Sequence, residues 1–414
     1  MGKERIVITG MGAVTPVGIG VTAYWENLAA GKSGISHITR FDTDELPVQI
    51  AAEVQDFYPQ EFLPKKLVRN TDIFMQFALI AAKEALAQSR LDADPERIGI
   101  VMGTALGGIS TVAETQAAIT EKGKYRVSPH VVPKMLGNIG AAQIAIMHGI
   151  KGPSLTVNTA CSSGADAIGT ASMLLKADQA DVVIAVGAES ILSGLMTAGL
   201  HSARALSTNN ADPEKASRPF DLKRDGFVMG EGAGAIVLEK LGRAKTRGAE
   251  IHAELLGYAN NTDAYHVTSP EPHGYGEVRC MQQALREAGL TADAIDYINA
   301  HGTSTKLGDE VETTAIKSLF SERLAKQIPV SSTKGATGHM MGAGGVTECI
   351  ACIQAIKKSL VPPTINYDQP DPQCDLDYVP NQSRQADVKA AMSNAFGFGG
   401  QNSSLIVGKC DEDE

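Results

Sequence analysis

The sequence predicts an α/β fold built from two α/β halves. Three observations carry that reading. Short, wholly apolar runs rich in Val and Ile alternate with helical patterns, the signature of buried strands with helices on both sheet faces. The alternation restarts after Ile251. Glycine is in excess, 42 of 414 residues, while aromatics make up only 5%. That composition suits many tight strand–helix turns and closely packed small residues.

The elements follow in chain order. Ile6-Val7-Ile8 reads as a buried strand entering a tight turn at Gly10 and Gly12. From Asp72 to Gln88, apolar Phe74, Phe77, Ile80, Ala81 and Leu86 recur at helical spacing, which predicts an amphipathic helix. Ile98–Met102 and Val182–Val186 are strands stopped by Gly103 and Gly187. Ala235–Leu238 is another strand, followed by a basic helix around Arg243–Arg247. In the second half Gly274–Ala288 reads as a helix ended by Gly289, Tyr297-Ile298 as a strand, and Glu310–Phe320 and Thr347–Lys357 as helices. The halves are expected to be 1–250 and 251–414. No short-period repeat is visible.

Composition excludes several classes. With 43% hydrophobic and 20% charged residues, the chain is neither disordered nor collagen-like. A net charge of −10 argues against a nucleic-acid binder held by bulk electrostatics. No apolar run reaches membrane-spanning length, and the N-terminal stretch is too short for a signal peptide. Gly2 invites a myristoylation reading, but Ile6 stands where Ser or Thr is needed. Six cysteines in 414 residues suit reduced thiols in a cytoplasmic enzyme.

Several apparent motifs carry little. Gly10-x-Gly12 is an incomplete dinucleotide fingerprint, with Thr15 and Pro16 where a third glycine belongs. Cys349-x-x-Cys352 lies in an apolar helix with no second pair, so both read as packed thiols. Gly338–Gly342 lacks the Lys-Ser/Thr ending of a phosphate loop. Six histidines, His37, His130, His148, His201, His252 and His273, have no chemical context, and His266 is left without a role.

Chemistry concentrates elsewhere. Cys161 sits among small residues in Asn158-Thr159-Ala160-Cys161-Ser162-Ser163-Gly164, between a strand and the helix-like segment Ala165–Lys176. A thiol at a helix N-terminus is expected to have a lowered pKa and to act as a nucleophile. Tyr297-Ile298-Asn299-Ala300-His301 parallels Thr156–Cys161, each running strand, small residue, reactive residue. Both reactive groups are therefore expected at carboxyl ends of strands, where open α/β sheets build sites. His301 and His339 each lie in glycine- and hydroxyl-rich loops. A cysteine protease needs one imidazole and an orienting amide. Two imidazole N–H donors with a thiol suit carbon–carbon chemistry on a thioester, whose enolate oxygen they stabilise.

Taken together, Asn158–Gly164, His301–Thr305, Ser331–Gly345 and Gly397-Phe398-Gly399-Gly400 resemble the β-ketoacyl-acyl-carrier-protein synthase II family, the elongating condensing enzymes of dissociated fatty-acid synthesis. The resemblance extends through Arg218–Asp221 and Gly226–Gly232 along nearly the whole chain. It implies a thiolase fold, two similar α/β halves in a five-layered αβαβα sandwich, and a homodimer. By the same resemblance Cys161 accepts an acyl group from acyl-carrier protein. His301 and His339 hold the malonyl thioester oxygen during loss of CO₂, and the carbanion attacks the acyl-Cys161 carbonyl to give 3-oxoacyl-carrier protein. Backbone N–H groups of Cys161 and Phe398 hold the oxyanion of that step, and no cofactor or metal is required.

Lys334 and Glu348 match electrostatic and orienting groups. Thr303, Thr305 and Thr268 match malonyl or pantetheine contacts, and Phe398 a mobile gate. Lys66, Arg69 and Arg204 match carrier-protein docking positions, a local basic patch on an acidic enzyme. Leu106 and Leu200 stand at acyl-pocket positions where many relatives carry isoleucine and phenylalanine, which puts chain-length preference in doubt. A ketosynthase of a specialised polyketide or lipid pathway is the alternative. A degradative thiolase is disfavoured because neither Cys374 nor Cys410 lies in a Cys-x-Gly context, and the initiating class because His339 replaces its asparagine. A non-catalytic carrier- or lipid-binding module does not explain Cys161, His301 and His339 together.

Overall fold

A computed structural model of the chain describes residues 4–123 and 127–410; Gly2 and the acidic end 411–414 lie outside them. One large mixed sheet organises the described residues. The first half contributes β1 (Ile6–Thr15), β2 (Ile98–Gly103), β3 (Ser154–Val157), β4 (Val182–Glu189) and β5 (Gly232–Lys240). The second contributes β6 (Ala253–Thr262), β7 (Tyr297–Asn299), β8 (Val330–Ser331), β9 (Ala390–Gly397) and β10 (Gln401–Gly408). The order across the sheet is β8-β7-β9-β10-β6-β1-β5-β4-β2-β3.

The two halves share one topology. In the first, β2 runs parallel to β3 and β4, whereas β4–β5 and β5–β1 are antiparallel. In the second, β7 runs parallel to β8 and β9, whereas β9–β10 and β10–β6 are antiparallel. Each strand of one half thus has a counterpart in the other, and the halves join where Ile6, Val7 and Ile8 pair with Leu255, Glu254 and Ala253.

Five helices complete the layers: α1 (Ile73–Ser89), α2 (Ser163–Lys176), α3 (Tyr275–Ala288), α4 (Lys306–Ala325) and α5 (Gly344–Lys358). Helices α2 and α5 pack on each other and touch strands of both halves, so they form a central layer between the two sheet regions. Helix α1 covers the outer face of β1, β5 and β4, and α3, backed by α4, covers β6 and β10. The layering is helix, sheet, helix, sheet, helix, as the resemblance implies.

Local departures from the sequence reading have physical causes. Strand β1 does not turn at Gly10 and Gly12 but runs on to Thr15. A side chain at Gly12 would collide with the backbone carbonyl of Ala81, so these glycines admit α1 against the strand and cradle no phosphate. Helix α1 begins at its N-cap Asp72, whose carboxylate accepts the Phe74 N–H at 3.1 Å. It is not amphipathic, because Phe74 through Ala82 are all buried between the strands and helix Asn138–His148. Helix α4 runs past both expected ends, with a break at Ser321 (φ 61°). Strands β6, β9 and β10 escape a hydrophobic reading because they carry Asn and Ser; Ser404, for example, is buried and donates to Asn394 at 2.9 Å.

Topology also corrects the parallel between the reactive segments. Cys161 follows β3, whose counterpart is β8; His301 follows β7, whose counterpart is β2. The true counterpart of the cysteine turn is therefore the 332–343 segment that carries His339. All three reactive residues still follow carboxyl ends of parallel strands, where they converge.

Candidate active site

Cys161 occupies a tight turn, Ala160–Ser162, immediately before α2. Ala160 adopts φ 51°, a strained left-handed conformation for a residue with a Cβ. The turn is fastened to the β9–β10 hairpin, because Ser162 Oγ lies 2.9 and 2.7 Å from the carbonyl oxygens of Ala395 and Gln401. That attachment brings the Phe398 turn over the thiol. The backbone N–H groups of Phe398 and of Cys161 itself lie near enough to the sulfur to favour its anion, and Met341 Sδ lies 3.8 Å from it.

His301 follows β7, and its position is set from behind by Glu312 of α4. That carboxylate accepts the N–H of His301 at 2.8 Å and of Gly302 at 2.7 Å. His339 is held by backbone pairing: its N–H donates to Val228 O at 2.7 Å, and its carbonyl accepts the Gly230 N–H at 2.9 Å. The two imidazole centroids are 5.4 Å apart with ring planes at 86°. Phe227 meets the His339 ring edge-on at 5.3 Å. Cys161, His301 and His339 line one cavity of about 250 Å³ together with Thr268, Thr303, Thr305, Phe398 and Arg204.

Burial dominates the electrostatics. The Cys161 thiol is pushed up to about 11 by desolvation, against the pull of the Phe398 and Cys161 N–H groups and of Lys334. Burial thus outweighs the lowering expected at a helix N-terminus and favours the protonated thiol. Both imidazoles are pushed well below their ordinary value, by burial first and then by Lys334, and His301 further by His339. They are neutral at pH 7, and each then carries one N–H donor. The Lys334 ammonium is paired with the Glu348 carboxylate inside the protein, both side chains almost fully enclosed. A buried ion pair of this kind supplies a fixed positive field to the thiol and both imidazoles.

The remaining residues read from the sequence divide. Thr303 and Thr305 face the cavity with their hydroxyls 3.0 Å apart. Phe398 lies in a turn with Gly399 and Gly400 at φ 84° and 68°, conformations that glycine adopts without strain. This turn is bonded to the 263–268 loop, through Gly399 N to Val267 O at 2.7 Å and Asp263 N to Gly400 O at 2.9 Å. His266 has a local task there, its Nδ1 accepting the N–H groups of Thr268 and Ser269 at 3.1 and 3.2 Å. Arg204 is exposed at the cavity rim, whereas Lys66 and Arg69 are exposed on helix Lys65–Asn70, away from the cavity wall. Leu200 packs against the buried apolar cluster that contains Cys161. Leu106 does not reach the cavity in the single chain and is 43% exposed. Cys349 and Cys352 are free and fully buried in α5, as packed thiols should be.

Three carboxylates escaped the sequence reading. Glu312 lies eleven positions after His301 with nothing local to flag it. Glu189, at the end of β4, binds backbone on two segments. Glu277, in α3, lines the cavity with Oε2 buried and without a hydrogen-bond partner, and its carboxyl is pushed well up by burial and by Glu312 and Asp263. Each is a helix or strand residue whose role appears only once distant segments meet.

A thiol at a helix start and two neutral imidazoles meet in one cavity, open at the Arg204 rim, between two matching α/β halves, an arrangement suited to thioester condensation. Residues 3–244 match the model of the beta-ketoacyl synthase N-terminal domain and residues 252–368 that of the C-terminal domain, so the chain belongs to the beta-ketoacyl synthase family. Among curated proteins it is similar to 3-oxoacyl-[acyl-carrier-protein] synthase 2 of Coxiella burnetii, at 44% identity over 99% of each chain. Among solved structures, a beta-ketoacyl synthase from Burkholderia phymatum superposes with a TM-score of 0.91 at 35% identity, covering 99% of this chain and 100% of that one. A type II polyketide ketosynthase solved with its acyl-carrier protein and a bound hexaketide superposes with a TM-score of 0.90 at 33% identity, with the same coverage.

Proposed function

We propose that this chain catalyses the decarboxylative condensation of acyl-carrier protein with malonyl-carrier protein, giving 3-oxoacyl-carrier protein, CO₂ and free carrier in fatty-acid elongation. The observation that carries this reading is the convergence of Cys161, His301 and His339 on one cavity.

In the first half-reaction the Cys161 sulfur attacks the acyl thioester. The thiol proton passes to the departing pantetheine sulfur, so the high pKa of the enclosed thiol is no obstacle: a proton acceptor arrives with the substrate. The N–H groups at the sulfur favour the developing anion and hold the oxyanion of the tetrahedral intermediate. In the second half-reaction the malonyl carbon–carboxylate bond breaks and CO₂ leaves. The enolate oxygen takes N–H bonds from neutral His301 and His339. The enolate carbon then attacks the acyl-Cys161 carbonyl, the Cys161–carbon bond breaks, and the thiolate regains a proton from water. Lys334 and Glu348 set the field around these charges. Thr303, Thr305 and Thr268 contact the malonyl unit or pantetheine arm, and Phe398 gates entry.

Acyl-carrier protein is the macromolecular partner, docked by Lys66, Arg69 and Arg204 through short-range attraction that outweighs the repulsion of a −10 enzyme. A second copy of the chain is the other. Strand β3 is an exposed sheet edge, with Leu155 45% exposed. Exposed Val132 and Met135 lie in helix Val131–Met135 of the same half, exposed Leu136 directly follows it, and exposed Ile146 lies in helix Asn138–His148. An apolar open edge of this sort is covered in stable proteins, here by edge pairing of two copies. The six free thiols suit the cytoplasm.

The test is reconstitution with acyl- and malonyl-carrier protein, with products followed by mass spectrometry. The proposal expects a 3-oxoacyl chain two carbons longer, formed one for one with CO₂. Consumption of malonyl-carrier protein without elongation contradicts it.

A further inference from the structure

The apolar side of the nucleophile holds a buried carboxylate that the condensation mechanism leaves without a task. Glu189 is fully enclosed. Its oxygens accept four hydrogen bonds, from Thr104 Oγ1 at 3.1 Å, Ala105 N at 2.6 Å, Leu106 N at 3.2 Å and Gly342 N at 3.2 Å. The first three donors belong to the segment leaving β2. The fourth belongs to the turn Met341–Ala343, which sets Met341 against the Cys161 sulfur. The 104–106 segment has a second tie on the nucleophile side, Asn158 Nδ2 to Ala105 O at 2.8 Å.

What lies around this knot is apolar. Cys161, Met341, Ile191, Leu192 and Leu206 form one buried cluster, with Ala105 and Leu200 packed on it. An acyl chain on Cys161 that avoids the histidine-lined cavity runs into this cluster. Burying a carboxylate in such a wall is costly and is offset only when donors satisfy it. An apolar residue of similar volume would serve packing alone at lower cost. The four donors, drawn from two distant segments, point to a positional task. The fit is close: a side chain at Gly342 would come within 2.7 Å of Glu189 Oε2 and 2.8 Å of Thr104 Cα.

We propose that Glu189 is the positioning residue of the acyl site: it fastens the 104–106 segment to the Met341 turn and so fixes the apolar wall against which the acyl chain on Cys161 lies. This inference rests on the reading of Cys161 as acyl acceptor. It predicts a defect that grows with acyl length, because a long chain meets more of the wall than a short one, while the malonyl half-reaction at His301 and His339 draws on other supports.

The experiment compares wild type, Glu189→Gln and Thr104→Val. Glu189→Gln keeps the shape but turns a donating amide NH₂ toward backbone N–H donors; Thr104→Val removes one donor of the four. Measured are the rates of Cys161 acylation by hexanoyl- and palmitoyl-carrier protein, CO₂ release from malonyl-carrier protein, and the melting temperature. In Glu189→Gln the palmitoyl rate is expected to fall at least about tenfold more than the hexanoyl rate, with CO₂ release reduced by no more than about twofold. Thr104→Val is expected to show the same pattern at smaller amplitude, and it carries the test if Glu189→Gln does not fold. An equal fall at both lengths and in CO₂ release marks a merely structural role and overturns the inference, as does no change. Failure of the wild type to acylate Cys161 overturns the functional reading itself, whereas normal wild-type acylation with both variants unaffected overturns this inference alone.

Discussion

Cys161 stands at the start of a helix, yet burial sets its thiol at about 11. In the proposed mechanism reactivity accordingly depends on the leaving pantetheine sulfur and on the N–H groups around Cys161, not on a standing thiolate. Cys161→Ala is expected to abolish condensation. His301→Ala is expected to slow malonyl decarboxylation by about a hundredfold or more while acyl transfer to Cys161 falls less than about tenfold, measured in single turnover. Equal losses in both half-reactions contradict the division of roles. Because both imidazoles titrate well below their ordinary value, CO₂ release is expected to stay flat from pH 8 to about pH 6.5, where an unperturbed histidine would already be half protonated.

Glu277 tests burial directly. Its folded pKa lies well above the ordinary 4.5, so it stabilises the fold fully only below that value, and the contribution is lost as pH rises. Between about pH 5 and pH 8 wild-type stability is expected to fall more steeply than that of Glu277→Gln, by at most about 1.4 kcal/mol per pH unit in denaturant titrations. Parallel slopes would show that Glu277 is solvated. At this scale the sequence singled out Cys161 and both histidines, each in its own small-residue loop, and the structure brings all three to one cavity. The sequence hid Glu277, and it hid Glu189 and Glu312, whose hydrogen-bond partners lie between 10 and 153 positions away in the chain.

Elements place those residues. Helices α2 and α5 approach so closely that a Cβ at Gly345 would collide with the Ala165 backbone N–H. Gly345→Ala is expected to cost about 1–3 kcal/mol in denaturant unfolding, through overpacking of the central layer. Full wild-type stability would show that the helices can move apart freely. Strands such as Val182–Glu189 were visible as apolar runs, although this one extends past Gly187, where a stop was expected. The β9–β10 hairpin was not visible: its Ser and Asn residues pair with one another across the sheet, so burial there does not follow hydrophobicity. Helix α1 shows the converse error, in which helical spacing suggested one buried face where neighbours enclose every residue from Phe74 to Ala82.

At the scale of the molecule, the restart of alternation after Ile251 anticipated two halves, but their shared strand order emerges only from pairing. The thiol comes from the first half and both imidazoles from the second, so the site exists only when the halves are packed together. Carrier docking belongs to the same scale. Arg204→Glu at the cavity rim is expected to raise KM for acyl-carrier protein by about tenfold with kcat little changed, and added salt is expected to weaken wild-type docking. A KM indifferent to both would remove Arg204 from the docking surface.

The proposed chemistry turns on Cys161 as the carrier of the growing acyl chain. Incubating the enzyme with acyl-carrier protein alone and sequencing its peptides by mass spectrometry tests this most directly. One acyl mass per chain is expected, on the peptide containing Cys161, discharged when malonyl-carrier protein is added. An acyl group on any other cysteine, or an unmodified Cys161 in an enzyme that still elongates, would contradict it.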